Sequence, residues 1–492
     1  MSKIINYDML INGNWVQASD NAVFESKDPA TNETWCTIPA ATADDVNAAV
    51  IAASAALDGP WGQMTPSERG KCLMRLADLL TQNSEQIGRI ETKDTGKMFK
   101  ETRWQAQYIA EYLRFYGGAA DKIHGDTLPI DKPDMFVFTH REPIGVVAAI
   151  VPWNSQMFLS AVKIGPALAT GNTIILKASE HASAPLLEFG KLMAKAGIPD
   201  GVVNIVTGFA DPCGTTLTTH PEVAKIAFTG GPAAARHVIR NSAENFAEVS
   251  LELGGKSPFI VFDDANLESA VNGCVAGIFG AAGQSCVAGS RLYLHESIAD
   301  EFLDRLTNIA RGIKIGDPQA DDTEMGPLCT TGQLDMIQAQ IAKAQKQGGK
   351  LLTGGNIPEG FDGLFFEPTI IECPDKSMDI IKTELFGPVL AVQRFSSEVE
   401  VLALANETDY GLAAGIFTQN SARALRMSRR IKAGIVWVNT YRAISPIAEF
   451  GGLKQSGYGR ESGFQALWDY TRPKTVWMNM SDEPLANPFQ PR

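Results

Sequence analysis

Through the first quarter of the chain, apolar residues recur at helical spacing. The run ATADDVNAAVIAASAAL, 41–57, predicts a first helix. A second begins at Thr65-Pro66-Ser67-Glu68, where Thr65 caps the helix, Pro66 suits its first turn and Glu68 completes a capping box. Alanine- and leucine-rich helical pattern then continues to about Tyr116. From Gly145 the pattern changes to short, wholly apolar runs: 145–151 (GVVAAIV), 173–177 (TIILK), 202–207 (VVNIVT) and 225–229 (KIAFT). Helix-like segments such as 183–196 separate them. Buried strands alternating with helices predict a parallel, doubly wound α/β sheet.

A second alternating region opens at Ser257 (SPFIVF) and runs past Val438. It holds a long polar helix at 332–346 and strand-like runs at 389–395 and 434–439. The expected organisation is therefore two doubly wound parallel-sheet domains. Residues 1–124 and 142–253 form one and 254–455 the other. Segment 125–141 breaks the helical pattern with two prolines, and the tail after Lys474 is apolar and then proline-rich. Segments 125–141 and 456–492 are candidates for an arm and a tail that pack on another subunit, or for plain surface loops.

In doubly wound sheets, ligands lie beyond the carboxyl ends of the strands. Trp153-Asn154, Lys177 to Glu180, Gly208 and Gly230-Gly231 fall there. No G-x-G-x-x-G follows any expected strand, so a bound dinucleotide would use a different loop. The 492 residues carry a formal net charge of −13, which argues against nucleic acid or anionic membrane as the main partner. No apolar run approaches a membrane span, and the N-terminus shows no secretory h-region. The seven cysteines are scattered and form no C-x-x-C, which disfavours a disulfide framework or a zinc ribbon. The expectation is a cytoplasmic protein with no metal site.

Three short segments carry candidate chemistry. Cys286, in Gly283-Gln284-Ser285-Cys286, follows an Ala/Gly-rich run that lets another molecule approach the backbone. A lone cysteine is otherwise a small buried hydrophobe. Glu252 lies between two leucines before Gly254-Gly255. Desolvation there would raise its pKa toward that of a general base; alternatively it pairs with Lys256 in a loop. Asn154, at a strand end, is either an oxyanion donor or an ordinary turn residue.

Taken together, these segments resemble the ordered signature set of the aldehyde dehydrogenase superfamily. The set comprises Pro152-Trp153-Asn154, Phe228-Thr229-Gly230, Glu252 to Lys256, Gly283 to Cys286, Glu384 to Pro388, and Phe450 to Lys454 with Ser456-Gly457. Asp28 to Thr31 and Gly459-Arg460-Glu461 fit as well. The resemblance implies that Cys286 is the nucleophile, that Asn154 and the Cys286 N–H form an oxyanion hole, and that Glu252 activates water. It implies that Lys177 and Glu180 hold the adenosine ribose, that Glu384 and Phe386 position the nicotinamide ribose and ring, and that Lys163 and Glu461 form a proton relay. Ile150, Trp153, Gly208, Thr229, Gly230, Gly231 and Leu253 complete the expected cofactor site. The implied chemistry is a thiohemiacetal, hydride transfer to the nicotinamide, and hydrolysis of a thioester to the acid. A ribose-binding carboxylate at Glu180 favours NAD over NADP, although some members with this Glu accept both.

The chain departs from the family pattern in places. Gly231-Pro232 replaces a common Ser-Thr, removing a side-chain contact to the pyrophosphate. Ser155-Gln156 stands for Phe-Pro and Val162 for Trp, both removing bulk from the implied substrate tunnel. Phe158, Ser285, Val287, Ile444 and Phe450 would line the rest, and Glu449 replaces a common Pro. A wider mouth suggests an aldehyde larger or more polar than acetaldehyde. Arg442 could pair with the carboxylate of a semialdehyde acid, or lie on the surface.

Competing readings are a CoA-acylating dehydrogenase, disfavoured by the presence of Glu252, and a non-catalytic relative, which would have lost Cys286, Glu252 or Asn154. A cysteine hydrolase would need a histidine by the thiol, and none of the six falls in these motifs. The resemblance also implies a homodimer or homotetramer.

Overall fold

The computed structural model describes residues 4–490. Two open sheets organise it. The first has eight strands. Its parallel strands run Glu248–Leu253, Val223–Gly230, Val146–Ile150, Thr173–Lys177 and Val203–Val206 across the sheet. Met9–Ile11 and Asn14–Val16 add antiparallel strands at one edge. Gly457–Tyr458, from the segment expected to be tail, adds an antiparallel strand at the other.

The central strands are apolar on both faces because both faces are covered. Val147, Ala149, Ile174 and Leu176 point into one core, with the helices Pro66–Gln82, Phe99–Ala119 and Gln156–Ala169. Val146, Ala148 and Ile175 point into the other, with the helix Ala43–Asp58. Strand order reverses beside Val146–Ile150: the chain first winds outward through Thr173–Lys177, then returns to Val223–Gly230 on the opposite side. Such a switch point opens a crevice at the carboxyl ends, where Trp153, Asn154, Gly230 and Gly231 emerge.

The second sheet has seven strands, built around Pro258–Val261 and Arg291–His295. All its pairings are parallel except that of the edge strand Lys350–Thr353. Phe259 and Val261 face one core while Ile260 faces another. The mixed α/β class with parallel sheets agrees with the periodicity.

The expected helical stretch to Tyr116 is three helices. Pro66–Gln82 starts with the Thr65–Glu68 capping box. Ser84–Thr95 ends on Gly96, whose φ of +76° only glycine adopts without strain. Lys97 and Met98 then turn the chain into Phe99–Ala119. The expected helix at 183–196 is a correction: it is helical only over Ala184–Gly190. Beyond that, Leu192 and Met193 donate to carbonyls three residues back, and the chain tightens into the 3-10 turn Ala194–Ala196.

The strand Met135–Pro143 pairs along its whole length with Thr471–Asn479, making a separate two-stranded ribbon. Among the described residues no helix is long and apolar enough to cross a membrane.

Candidate active site

Cys286 sits at the end of a strained loop. Ala281, Ala282 and Gly283 all have positive φ (53°, 51° and 72°), a sequence of left-handed residues that costs about 1 kcal/mol for each alanine. The Gln284 side chain holds the loop. Its amide donates to Ala281 O at 3.3 Å and Pro327 O at 3.4 Å, and it accepts from Cys329 N at 2.8 Å. Glu101 accepts from Ala281 N at 3.3 Å. Six of the seven cysteines are buried, whereas Cys286 is half-buried.

The Asn154 amide donates to Gln284 O at 3.0 Å, which ties its side chain to the Cys286 loop. No backbone acceptor among the described residues takes the Cys286 N–H. The Cys286 N–H and the second Asn154 N–H are thus both without an acceptor among the described residues, and both residues line the same cavities.

Glu252 is 4% exposed and neither carboxylate oxygen has a hydrogen-bond partner. It makes no ion pair with Lys256, whose ammonium is also unpartnered. Burial first, and then the charge of Glu461, hold the Glu252 pKa well above the usual carboxylate range, against the opposing fields of Lys163 and Arg460. Burial followed by the charges of Glu384 and Glu252 pushes the Cys286 thiol up to about 12. Burial pushes Glu384 up to about 7, opposed by the Gly255 N–H that it accepts at 2.9 Å. A Cβ on Gly254 would lie 1.9 Å from a Glu384 oxygen, so the glycine makes room for this carboxylate.

Cys286 and Asn154 line two cavities at once. One, of about 260 Å³, also holds Glu252, Leu253, Trp153, Thr229, Gly230, Gly231, Glu384 and Phe386. Within it the Trp153 and Phe386 rings meet edge to face, centroids 5.4 Å apart. This cavity shares Trp153, Thr229, Gly230 and Gly231 with a larger one of about 610 Å³, lined also by Ile150, Lys177 and Glu180. A Cβ on Gly231 would meet nothing within 4 Å, so this backbone faces open space. Lys177 lies 3.9 Å from Glu180 and donates to Gly208 O at 2.7 Å. Gly208 does not line the cavity and reaches it only through Lys177.

The other cavity at Cys286, of about 370 Å³, is lined by all eight expected tunnel residues: Ser155, Phe158, Val162, Ser285, Val287, Arg442, Ile444 and Phe450. Gln156 does not line it. It is fully buried in the first helical turn with its amide unpartnered, so its exchange does not widen the tunnel. Arg442 is not a free surface side chain: it donates to Ala276 O at 3.1 Å, and a Cβ on Gly280 would collide with it at 2.6 Å. Glu461 lines the tunnel and pairs with buried Lys163, which donates to Thr229 Oγ1 at 2.7 Å.

The sequence reading missed Lys97, Glu101, Trp104 and Gln105, which also line the tunnel. Glu101, Trp104 and Gln105 share one face of the helix Phe99–Ala119 and Lys97 lies just before it; the signal in the sequence is an acid and a lysine at helical spacing beside a large aromatic residue. Gln333 and Met336 of the helix Thr331–Lys346 reach the middle cavity and carried no such signal.

A model of the aldehyde dehydrogenase family matches residues 15–476. A relative in Acinetobacter baylyi, (Z)-2-((N-methylformamido)methylene)-5-hydroxybutyrolactone dehydrogenase, is 55% identical over 485 residues, covering 98% of this chain and 99% of its own. Among solved structures, the NAD+ complex of an aldehyde dehydrogenase from Bacillus cereus is 40% identical with a TM-score of 0.95, covering 97% of each chain. Betaine aldehyde dehydrogenase from Staphylococcus aureus, solved with NAD+, is 36% identical with a TM-score of 0.96, covering 99% of this chain and 97% of its own. Matches of this extent, over a site assembled from the same segments, show that the chain belongs to the aldehyde dehydrogenase family.

Proposed function

We propose that this chain oxidises the aldehyde group of a semialdehyde acid to a second carboxylate, with NAD as hydride acceptor and Cys286 as nucleophile. The observation that carries the reading is the position of Cys286 where two cavities meet, with Asn154 beside it and Glu252 in the wall of one.

The residues fit the dinucleotide. The larger cavity lies at the switch point of the sheet, with Glu180 and Lys177 in its wall and open backbone at Gly231. Glu180 would accept from ribose hydroxyls and repel a 2′-phosphate, favouring NAD over NADP. NAD, when bound, supplies a positively charged ring that accepts hydride. Glu384 and Glu252, whose negative fields converge on Cys286, complement that charge.

The Cys286 thiol gives up its proton to solvent water in the tunnel as its sulfur adds to the aldehyde carbon, and the resulting oxyanion is held by the Asn154 and Cys286 N–H groups. Loss of hydride leaves a thioester on Cys286. Glu252 then takes a proton from water, the resulting hydroxide attacks the thioester, and the acid leaves as the thiolate returns. Glu461 and Lys163 carry the proton away from Glu252; the Glu461 charge that raises the base is the field expected of the next group in a relay. An oxyanion donor or general base of this kind contributes about 3–5 kcal/mol each.

The semialdehyde reading rests on the tunnel. Its volume exceeds what acetaldehyde needs, and Arg442 lies in its wall. The Acinetobacter relative is named for a 5-hydroxybutyrolactone. Such a lactone is the ring-closed form of a 4-oxobutanoic acid, so ring opening yields an aldehyde and a carboxylate on one chain.

In this proposal residues 1–124 and 142–253 bind the dinucleotide, 254–455 carry the nucleophile, and 125–141 with 456–492 join subunits into a homodimer or homotetramer. Seven free cysteines suit the reducing cytoplasm.

The test is NADH formation across neutral, hydroxy-, amino- and carboxy-aldehydes and a 5-hydroxybutyrolactone, with NAD and NADP, beside Cys286→Ala. Turnover of the carboxy-aldehydes that vanishes in the variant supports the reading. Turnover persisting in Cys286→Ala, or a preference for acetaldehyde, overturns it.

A further inference from the structure

Lys97 is an unusual group to find in the wall of a substrate cavity. It is 8% exposed, and its ammonium donates to Gln105 Oε1 and Ser155 Oγ, each at 3.0 Å. Both acceptors are neutral, and among the described residues it makes no ion pair within 4.0 Å. A buried ammonium is normally matched by an anion in contact, because desolvation of a bare charge is costly. Two of its three N–H groups are used, which leaves one donor.

The acids near it do not supply that contact. Glu101 lines the same cavity, with one oxygen 3.3 Å from Ala281 N and the other unpartnered. Glu91 feels the Lys97 field but is wholly buried, with both oxygens unpartnered. The fourth charged residue of the wall, Glu461, is already paired with buried Lys163. Lys97 and Arg442 thus face the cavity as two cations against the single unpaired acid Glu101.

Ser155 strengthens the argument. Its oxygen accepts from Lys97, so its own O–H is free to donate elsewhere, and both residues line the tunnel. An ammonium N–H and a hydroxyl side by side match the two oxygens of a carboxylate. The pair is held rigidly. Lys97 follows the left-handed Gly96 cap, where a Cβ would lie 2.6 Å from Pro327, and Ser155 immediately precedes the helix Gln156–Ala169.

We propose that Lys97, with Ser155, is a specificity residue that binds the remote carboxylate of the substrate while its aldehyde carbon lies at Cys286. The assignment rests on the semialdehyde reading above and names the residue that enforces it.

The experiment compares kcat/KM for 4-oxobutanoate with that for pentanal, in the wild type, Lys97→Met and Lys97→Arg, with melting temperatures as a check on folding. A charged hydrogen bond of this kind is worth about 10- to 150-fold in an equilibrium. The ratio of kcat/KM for 4-oxobutanoate over pentanal is expected to fall about 10- to 100-fold in Lys97→Met, mainly through KM for the acid. It should stay within about threefold of the wild type in Lys97→Arg. If Lys97→Met does not fold, Lys97→Gln, which keeps a polar group and loses the charge, takes its place with the same expected fall. An unchanged ratio in the charge-deleted variant overturns the role of Lys97 while leaving the semialdehyde reading intact. A wild-type ratio near one overturns the semialdehyde reading itself, before any variant is compared.

Discussion

At Cys286 and Glu252 the same physical fact, burial among carboxylates, sets both reactivities. The thiol is pushed up to about 12, so in the free enzyme it is protonated at neutral pH. Its alkylation by iodoacetamide should keep rising with pH to at least pH 10. Replacing Glu384 by Gln removes one of the negative fields and should raise the alkylation rate at pH 8 by about threefold, a third of the tenfold that a full pKa unit brings. An unchanged rate would show that burial alone governs the thiol. For Glu252 the sign runs the other way with respect to function. A base acts ionised, and its raised pKa keeps it protonated at pH values where ordinary carboxylates are already charged. Hydrolytic turnover should therefore fall as pH is lowered through a value well above the usual glutamate range. Glu252→Gln should cut steady-state turnover about 10²- to 10³-fold. The first turnover of NADH, which needs only Cys286 and the oxyanion donors, should survive as a burst in stopped-flow traces.

Among the elements, Gly96 and Gly231 make opposite demands on a side chain. Gly96 closes the helix Ser84–Thr95 at φ +76°, and a Cβ there would collide with Pro327. Gly96→Ala should destabilise by about 2 kcal/mol or more, seen as a lower unfolding midpoint, and it should disturb the tunnel because Lys97 is the next residue. Gly231, with φ −81° and open space where a side chain would go, should accept serine with little change in stability. If the pyrophosphate lies there, Gly231→Ser should tighten NAD binding severalfold by fluorescence titration, through one added hydrogen bond of about 1 kcal/mol.

These two glycines also mark what the sequence could and could not disclose. Strands covered on both faces, such as Val146–Ile150 and Thr173–Lys177, announce themselves as unbroken apolar runs. Cys286, Glu252 and Asn154, which the fold brings to one cavity, stand out in the sequence through the family-like segments that hold them, not through any one residue's setting. Lys97, Glu101 and Gln105 do not stand out in this way. Polar residues at the start of a helix, and just before it as Lys97 is, read as a solvated face until the fold lays another element against them. Here the loop after Asn439 and the helix from Gln156 do so, with Tyr108 donating to Ile444 O at 2.6 Å across the gap. Gly208 was read as a wall of the cofactor cavity and is instead an anchor for Lys177, a distinction that only a hydrogen-bond partner reveals.

For the whole molecule, the ribbon of Met135–Pro143 and Thr471–Asn479 stands apart from both main sheets. Nine paired residues on each strand make it about 30 Å long. It joins neither main sheet; residues 126–128 pair with the outer side of Met135–Pro143 at Val137 to Thr139, while the outer edge of Thr471–Asn479 has no strand partner among the described residues. Its apolar residues Phe136, Trp477 and Met478 are 39%, 56% and 50% exposed in the single chain. A two-stranded ribbon is marginal in water, and an open apolar edge invites pairing with another chain. A second copy related by a two-fold axis satisfies both needs, because each copy offers the same edge to the other. The wild type should then scatter light as a dimer or tetramer at micromolar concentration. Trp477→Glu with Met478→Glu, which places one charge on each face of the ribbon without touching the cavities at Cys286, should move the mass toward the monomer. A monomeric wild type would remove the ribbon from the assembly proposal and leave its exposed apolar residues without a role.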